Sequence, residues 1–314
     1  MERFDAYMER CLYGPDGFYT THGVAGRARG DFITSPEVGP LFGAVVANVL
    51  DAWWDAAGRP DPWIVYDVGC GPNTLLRSIR RARPEVERPW RLVGVDPAPG
   101  EGPQASTGGV ERTDDLPDDL EGCVVLGNEL LDNLQARIVE HTATGDWLEV
   151  HVDDGAEVLR TTDARLDIPR GTRAPLLSEA GDWCRTVLAR GPDHLLLFDY
   201  GEATSHELAV RGGWLRTYRS HQRGHDPLAD PGRWDITVDV AVDQLPSGAV
   251  VETQADFLHR WGIDELVKEG RAHWRANAAR PDLTAIAMRS RVSEAEALTD
   301  PTGLGSWLVI HYGG

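Results

Sequence analysis

The stretch VYDVGCGPNTLLRSI (65–79) decides the fold, together with RLVGVD (91–96), the next apolar run along the chain. Both begin as runs typical of strands; the first continues into a glycine-rich turn, and the second ends in an acid. Gly69 and Gly71 lack Cβ atoms, so the backbone can turn tightly there and a ligand can lie against it. Asp96 ends the second run, where a carboxylate can hydrogen-bond two ribose hydroxyls at once. Together the two segments predict a nucleotide-cofactor site.

The spacing of the glycines separates one cofactor class from another. A dinucleotide fingerprint would carry a third glycine at position 74, where the chain has Thr74, so pyrophosphate binding is disfavoured. The looser Asp67-x-Gly69-x-Gly71 form is the one that S-adenosylmethionine (SAM) enzymes use at this place. We therefore predict cofactor contacts at these three residues and at Asp96. The alternative is a turn that needs its glycines only for packing, and the acid on the next strand end favours the cofactor.

Apolar runs alternate with helical or loop segments between residues 63 and 199. Such alternation predicts an α/β fold with a parallel, doubly wound sheet covered on both faces. An inserted β-hairpin is predicted over 136–154, and helices near 254–278 and 281–297. The predicted strands are 63–68, 91–96, 123–127, 194–199 and the last one, in SWLVIHYG (306–313).

A further helix begins within GDFITSPEVGPLFG (30–43). Either Thr34 caps it, with Glu37 completing a capping box, or Ser35 caps it, with Pro36 at the first helical position. Apolar residues then keep a helical period up to residue 53, so this helix buries one face.

Composition excludes several classes of function. The 314 residues carry a net charge of −19, with 50 acidic against 31 basic residues, so a nucleic-acid backbone would be repelled. The four cysteines are scattered without the CxxC spacing of zinc sites or the density of a secreted scaffold, which favours a reducing cytosol. The N-terminus has no apolar signal region, and the longest apolar run (41–50) is too short to span a bilayer. We expect a cytoplasmic protein with no nucleic-acid partner and no membrane insertion.

Residues that follow the strands are the first candidates for chemistry, because open α/β sheets bind ligands at the carboxyl ends of their strands. Asn128 and Glu129 follow the third strand, and Asp199 follows the fourth. If a helix begins at Glu129, Asp132 shares its face, and the two carboxylates could grip a guanidinium in a bidentate manner. That grip would hold the cation on one nitrogen and leave another nucleophilic. The alternative is that Asn128 caps the helix and Glu129 only favours its dipole.

Other polar residues are weaker candidates. Asp115, or its neighbour Asp114, lies where an acid could accept a hydrogen bond from an adenine amino group, although a solvated acidic loop is the plainer interpretation. His221 and His225, with Asp226, could act as bases or metal ligands, but no HExxH helix or cysteine partner accompanies them. We expect no metal site.

The segments taken in order are more specific than any one of them. The chain resembles the MidA family of SAM-dependent methyltransferases over nearly its full length, through GDFITSPEVGPLFG, DVGCG, GNELLDNL, FDYG, LRTYRSHQRGHDPLADPGRWDIT and DPTGLGSWLVI. The resemblance implies a seven-stranded, Rossmann-like methyltransferase sheet with an N-terminal helical extension and an inserted smaller α+β subdomain. We expect one domain over 1–314, with a cap region at 1–60 and the inserted, substrate-side subdomain at 205–280.

The resemblance also implies an activity and a set of site residues. It implies methylation of a protein arginine, since mitochondrial members resemble arginine methyltransferases for a core subunit of respiratory complex I. It places cofactor contacts at Gly69, Gly71 and Asp96, and faces Asn128 and Glu129 toward the reacting centre. The GDF-TSPE element is implied to cover the cofactor or substrate pocket through Gly30, Asp31, Phe32, Ser35 and Glu37.

The chain departs from the family pattern at three places. The family turn continues as Gly-Pro-Gly-Arg-Gly-Thr-Leu, whereas here Pro72 and Asn73 follow Gly71. After Asp96 a glycine- and proline-rich loop (97–109) replaces a Ser-x-x-Leu-Arg-x-x-Gln helix. Asp239 stands near the place of an expected histidine.

The functional hypothesis is a SAM-dependent methyltransferase that acts on a protein arginine. The alternatives are a small-molecule methyltransferase, a SAM-binding assembly factor without turnover, and an NAD-linked oxidoreductase, which Thr74 argues against. A homodimer is left open.

Overall fold

The computed structural model of the chain describes residues 1–22, 34–83, 86, 89–96, 109–219, 222–224 and 226–313. The helices within these ranges are α1 (Phe4–Tyr13), α2 (Phe18–His22), α3 (Ser35–Val38), α4 (Pro40–Ala56), α5 (Thr74–Ala82), α6 (Ser178–Ala189), α7 (Ser205–Arg211), α8 (Gln254–Arg260), α9 (Ile263–Asn277) and α10 (Leu283–Leu298). The strands are β1 (Glu2–Arg3), β2 (Trp63–Val68), β3 (Trp90–Val95), β4 (Val110–Thr113), β5 (Cys123–Asn128), β6 (Arg137–His141), β7 (Trp147–Asp153), β8 (Ala156–Thr161), β9 (Thr172–Leu176), β10 (His194–Asp199), β11 (Gly201–Glu202), β12 (Leu215–Arg219), β13 (Gln222–Gly224), β14 (Asp235–Val238), β15 (Val240–Ala241), β16 (Val250–Thr253) and β17 (Leu308–Gly313).

A seven-stranded sheet in the order β16-β17-β10-β5-β2-β3-β4 forms the centre of the fold. The five strands from β10 to β4 are parallel, and β17 runs antiparallel to both of its neighbours. The predicted doubly wound α/β sheet of seven strands is confirmed. Strand β2 pairs with β3 on one side and with β5 on the other, so the chain changes its direction across the sheet there. Open α/β sheets bind their ligands at such a switch point.

The apolar strands of the sheet bury side chains on both faces, as continuous apolar runs predict. On one face, residues such as Val65, Leu126 and Phe198 pack with α4, α5 and α8. On the other face, residues such as Val125 and Leu197 pack with α1, α6 and the inserted strands. Each fully buried Val or Leu side chain contributes about 1.5–3 kcal/mol relative to exposure. This two-sided core holds the strand ends in fixed positions.

Three smaller sheets of the described residues lie outside the main one, and the smallest of them is the pair of β11 and β15. The predicted hairpin over 136–154 is present as β6 and β7, and it belongs to a five-stranded sheet with β1, β8 and β9. The polar segment 215–240 forms a second small sheet from β12, β13 and β14. The domain boundaries at residues 60, 205 and 280 stay a prediction.

The first of the two alternatives for the helix near residue 35 is observed. The backbone N–H of Thr34 donates to the Glu37 carboxylate at 3.4 Å, and α3 begins at the next residue. The helix is interrupted at Gly39, where an added Cβ would lie 2.3 Å from the carboxyl carbon of Glu294. That carboxylate accepts the N–H of Leu41 at 2.9 Å and so caps α4. In the part of the chain described here, no helix has the length and apolar character needed to cross a membrane.

Candidate functional site

The turn after β2 has the tight backbone that its glycines predict. Gly69 and Gly71 have φ values of +69° and +49°, which L-residues with a Cβ atom rarely adopt. Asn73 follows with φ +60° and begins α5 from the left-handed region. Asparagine is among the few residues other than glycine that tolerate this region. The backbone of the turn is therefore compatible with the residue that the chain has at position 73.

Asp96 lies directly beside this turn, at the end of β3. Its Oδ2 accepts the backbone N–H of Gly71 at 3.0 Å and lies 3.6 Å from the guanidinium of Arg112. Arg112 also donates to the carbonyl oxygen of Gly71 at 3.2 Å. The guanidinium thus joins the acid to the turn, which fixes where the carboxylate lies. Arg112 did not stand out in the sequence because the short strand β4 that carries it was not predicted.

A cavity of about 860 Å³ opens at the carboxyl ends of β2, β3 and β5. It brings together four predicted cofactor residues, Gly69, Gly71, Asp96 and Asp115. The volume is within the range of pockets that hold small molecules and cofactors. The remaining walls are both apolar and polar, and they include Val68, Val95, Leu116, Leu130, Leu134, Trp183, Val187, Tyr13, Tyr19, Asp114, Asp118, Glu129, Asn133, Thr186 and Arg190. Apolar walls suit an adenine ring, and carboxylates can accept hydrogen bonds from ribose hydroxyls and from the adenine amino group. The residues present therefore fit the adenosyl group of SAM.

A second, smaller cavity, of about 90 Å³, lies against the same glycine turn. We call it the acceptor pocket, after the role that we propose for it. It shares Tyr19, Gly69, Gly71, Glu129 and Asn133 with the large cavity. No arginine, lysine or histidine of the described residues lines it. The carboxylates that line the acceptor pocket are Glu37, Asp67, Glu129, Asp132 and Asp235. Asp67, predicted as a cofactor contact, lines this pocket and not the large cavity, and its contact with the cofactor stays a prediction.

No helix begins at Glu129, so the condition under which Glu129 and Asp132 would share a helix face is not met. Glu129 has φ +51°, and its backbone N–H donates to the carbonyl oxygen of Phe198 on β10 at 2.8 Å. This hydrogen bond holds the chain in a turn, and only the short 3₁₀ segment Leu131–Asn133 follows. Glu129 and Asp132 both line the acceptor pocket, but they do not share a helix face. Asn128 is the last residue of β5 and not a helix cap.

The side chains of Asn128 and Glu129 contact each other in the acceptor pocket. The Nδ2 of Asn128 donates to Oε1 of Glu129 at 3.0 Å, which orients the carboxylate. The Oδ1 of Asn128 is buried and accepts no hydrogen bond from any described residue. Since buried acceptors are normally satisfied, this oxygen is suited to receive an N–H from a bound ligand.

Asp199 holds the turn that carries these residues. Its Oδ2 accepts the backbone N–H groups of Leu131 at 2.9 Å and Asp132 at 3.3 Å, and its Oδ1 accepts that of Tyr200 at 3.0 Å. Burial and the nearby carboxylates of Asp132 and Glu129 raise the pKa of Asp199 well above its ordinary range. The Tyr200 hydroxyl donates a short hydrogen bond to Asp132. Burial, followed by the carboxylates of Asp132 and Asp199, raises the pKa of this phenol, so it stays protonated and remains a donor.

The remaining predicted residues lie at different places. Ser35 lines neither cavity, because its buried hydroxyl donates to Oε1 of Gln254 at 2.8 Å; its predicted place in the pocket cover was wrong. Asp239 is buried, forms ion pairs with Arg211 and Arg216, and lines neither cavity. Asp226 is exposed and accepts the backbone N–H of Leu228 at 2.9 Å. The predicted residues Gly30, Asp31, Phe32, His221 and His225 lie outside the described residues.

Curated proteins similar to this chain carry one name. The chain is 28% identical over 287 residues to "Protein arginine methyltransferase NDUFAF7 homolog, mitochondrial" of Drosophila melanogaster, covering 74% of this chain and 63% of that protein. It is also 28% identical over 320 residues to "Protein arginine methyltransferase NDUFAF7, mitochondrial" of Rattus norvegicus, covering 83% of this chain and 71% of that protein. The chain therefore spans less than two thirds of the Drosophila relative. The expected cytoplasmic location was wrong, because these relatives are mitochondrial.

Two solved structures from Burkholderia thailandensis have the same fold. One, an uncharacterised protein, is 27% identical with a TM-score of 0.77, covering 99% of this chain and 87% of that chain. The other, a member of the same superfamily bound to S-adenosyl-homocysteine, is 24% identical with a TM-score of 0.75 and the same coverage. A family model described as "Putative S-adenosyl-L-methionine-dependent methyltransferase" matches residues 45–259, more than half of the chain. The chain belongs to this family of SAM-dependent methyltransferases, whose cofactor is SAM.

Proposed function

We propose that this chain transfers the methyl group of SAM to a guanidinium nitrogen of an arginine in a protein substrate. The observation that carries the proposal is the acceptor pocket, which adjoins the cofactor cavity at the switch point of the sheet and is lined by five carboxylates. A cationic acceptor suits such a pocket, because buried carboxylates are stabilised by charge-assisted hydrogen bonds. The names of the curated relatives support arginine as the acceptor.

Each side of the site has a separate task in this proposal. Gly69, Gly71, Asp96 and Asp115 hold the cofactor in the large cavity, and Arg112 keeps the Asp96 carboxylate against the turn. Bound SAM supplies an electrophilic methyl group on its sulfonium. Holding the two reactants at near-attack distance supplies much of the rate enhancement in such a transfer.

Glu129 has the central task on the acceptor side. Its carboxylate accepts N–H groups of the guanidinium, which draws the positive charge toward those nitrogens and leaves the lone pair of another nitrogen available. Asn128 orients this carboxylate through the 3.0 Å hydrogen bond to Oε1. The proton lost by the methylated nitrogen passes to a carboxylate of the acceptor pocket, for which Glu129 and Asp132 are the candidates.

The identity of the protein substrate is a further proposal. The resemblance to the MidA family implies a core subunit of a respiratory complex, and we propose such a subunit as the first acceptor to test. A homodimer stays a prediction.

The test is incubation with SAM carrying a tritiated methyl group and a degenerate peptide set in which the central residue is arginine, lysine or citrulline. Citrulline has nearly the shape of arginine and no charge. We expect label in the arginine peptides alone, and a loss of turnover of about 100-fold for Glu129→Gln that exceeds any change in its affinity for S-adenosyl-homocysteine. The matched control is Asp230→Asn, which removes an exposed charge that lines neither cavity. If label appears only in small molecules of a lysate, the arginine acceptor is contradicted. If no peptide and no lysate component is methylated, a protein that binds SAM without catalysis is favoured.

A further inference from the structure

Asp235 is a carboxylate of the acceptor pocket that comes from a different part of the fold than Glu129. It begins β14, in the small sheet between β10 and β16, and its backbone pairs with Tyr218 of β12. Only 5% of its surface is exposed, and it lines the acceptor pocket. A carboxylate at the wall of this pocket can form charge-assisted hydrogen bonds with a cation that enters it.

Tyr19 of α2 fixes the orientation of this carboxylate. The Tyr19 hydroxyl lies 2.9 Å from Oδ1 of Asp235 and 2.8 Å from Oδ1 of Asn133. The Nδ2 of Asn133 is 3.4 Å from the same oxygen of Asp235. A phenol has one proton, so it donates to only one of its two neighbours at a time. The hydroxyl can donate to Asp235 when the pocket is empty and to Asn133 when a cation takes that oxygen.

The aromatic ring of Tyr19 is held independently of its hydroxyl. It stacks on Tyr13 with ring centroids 5.4 Å apart and makes an edge contact with Phe18 at 5.3 Å. Its side chain lines both the cofactor cavity and the acceptor pocket. Removal of the hydroxyl alone should therefore leave the wall between the two cavities in place.

We infer that Asp235 binds the cationic head of the acceptor side chain, and that Tyr19 is the positioning residue that presents its carboxylate. This inference rests on the proposed function and adds a second recognition group to it. Glu129 and Asp235 line one small pocket from two segments of the chain. A guanidinium carries five N–H donors in a planar fork, so it can serve two carboxylates along different edges, whereas a lysine ammonium is a compact point charge. The pair of carboxylates selects arginine over lysine and over a neutral side chain of the same shape.

The experiment compares Asp235→Asn and Tyr19→Phe with the wild-type chain and with Asp230→Asn, which removes a charge from the same insertion outside both cavities. We measure the Kd of S-adenosyl-homocysteine by calorimetry and the kcat and KM on an arginine peptide. We also measure the binding of arginine and citrulline peptides to the complex of the chain with S-adenosyl-homocysteine. For Asp235→Asn we expect an unchanged cofactor Kd, a rise in KM of about 10- to 100-fold and loss of the preference for arginine over citrulline. Tyr19→Phe should raise KM by about 3- to 10-fold, and the control should change none of these values.

The outcomes separate the inference from the function on which it rests. Lack of arginine turnover by the wild-type chain would contradict the proposed function, whatever the variants do. If the wild-type chain methylates arginine, and Asp235→Asn has the same KM and the same peptide preference, the role of Asp235 is overturned. A merely structural role would weaken cofactor binding and peptide binding alike, and that result would also overturn the inference. If Asp235→Asn fails to fold, Tyr19→Phe decides, because it keeps the ring and removes only the hydroxyl.

Discussion

Replacing Asp199 by asparagine should disturb the site through the turn that carries Glu129 and Asp132. The carboxylate accepts three backbone N–H groups, at 2.9, 3.3 and 3.0 Å. An asparagine keeps one carbonyl oxygen, so at least one buried N–H would face an amide NH₂ instead of an acceptor. Leaving a buried N–H without its acceptor costs about 1–3 kcal/mol. We expect the free energy of unfolding to fall by this amount.

The same substitution should lower kcat much more than cofactor affinity. A displacement of about 1 Å at a reacting group costs on the order of 100-fold in rate. The measurements are urea unfolding, methyl transfer to an arginine peptide, and titration with S-adenosyl-homocysteine. The matched control is Asp243→Asn, because the Asp243 carboxylate accepts the backbone N–H of Ser205 at 2.9 and 3.0 Å at the start of α7, away from both cavities. Unchanged stability, or a stability loss with kcat equal to that of the control, would refute the reasoning.

Three further perturbations test other parts of the structure. Gly94→Ala would place a Cβ 2.0 Å from Oδ1 of Asn73 and 2.7 Å from Sγ of Cys70, so these two side chains of the turn must move; we expect a loss of about 1–3 kcal/mol in urea unfolding and weaker cofactor binding by calorimetry. Arg112→Met frees the Asp96 carboxylate from the turn and should raise the Kd of S-adenosyl-homocysteine by about tenfold. Burial, helped by the nearby charges of other basic groups, lowers the pKa of His311 from 6.5 to about 4. As pH falls, the unfolded chain binds the proton before the folded chain does. The free energy of unfolding therefore declines between pH 6.5 and about 4, by about 1–2 kcal/mol after solvent screening. His311→Gln should flatten this part of the profile of urea unfolding against pH.

Each of these predictions has an outcome that contradicts it. If Gly94→Ala has the stability of the wild-type chain, the side chains around Gly94 can accommodate a methyl group, and the prediction is contradicted. The control for Arg112→Met is Arg91→Met, which breaks an exposed ion pair with Glu111 and should leave the Kd unchanged. Equal effects of the two arginine substitutions would remove the positioning role. An identical pH profile in His311→Gln would mean that another group titrates.

The fold was predictable because its strands are continuous apolar runs. The predicted bounds 63–68 and 194–199 coincide with β2 and β10; β5 extends one residue beyond its predicted end, and β3 begins and ends one residue earlier than predicted. Short strands such as β4 and β16 carry too few residues for a pattern, so they were not predicted. The helix expected over 254–278 is two helices, because Gly262 adopts φ +91° between α8 and α9.

The candidate site was predictable where one short motif carries several of its residues. Gly69 and Gly71 stand in such a motif, Asp96 ends the next predicted strand, and the three residues meet at one cavity. The conformation of Glu129 was not predictable, because a carbonyl group of the neighbouring strand β10 holds it. Asp235 had no local signal, since it reaches the acceptor pocket from a segment more than 100 residues away in the chain. The roles of all these residues stay predictions.

A crystal structure of the chain with S-adenosyl-homocysteine tests the central claim most directly. The account predicts density for the whole ligand in the cavity of about 860 Å³, with the ribose at Asp96 and the sulfur toward Glu129 and the acceptor pocket. Density at another place, or a sulfur that points away from Glu129, would contradict it.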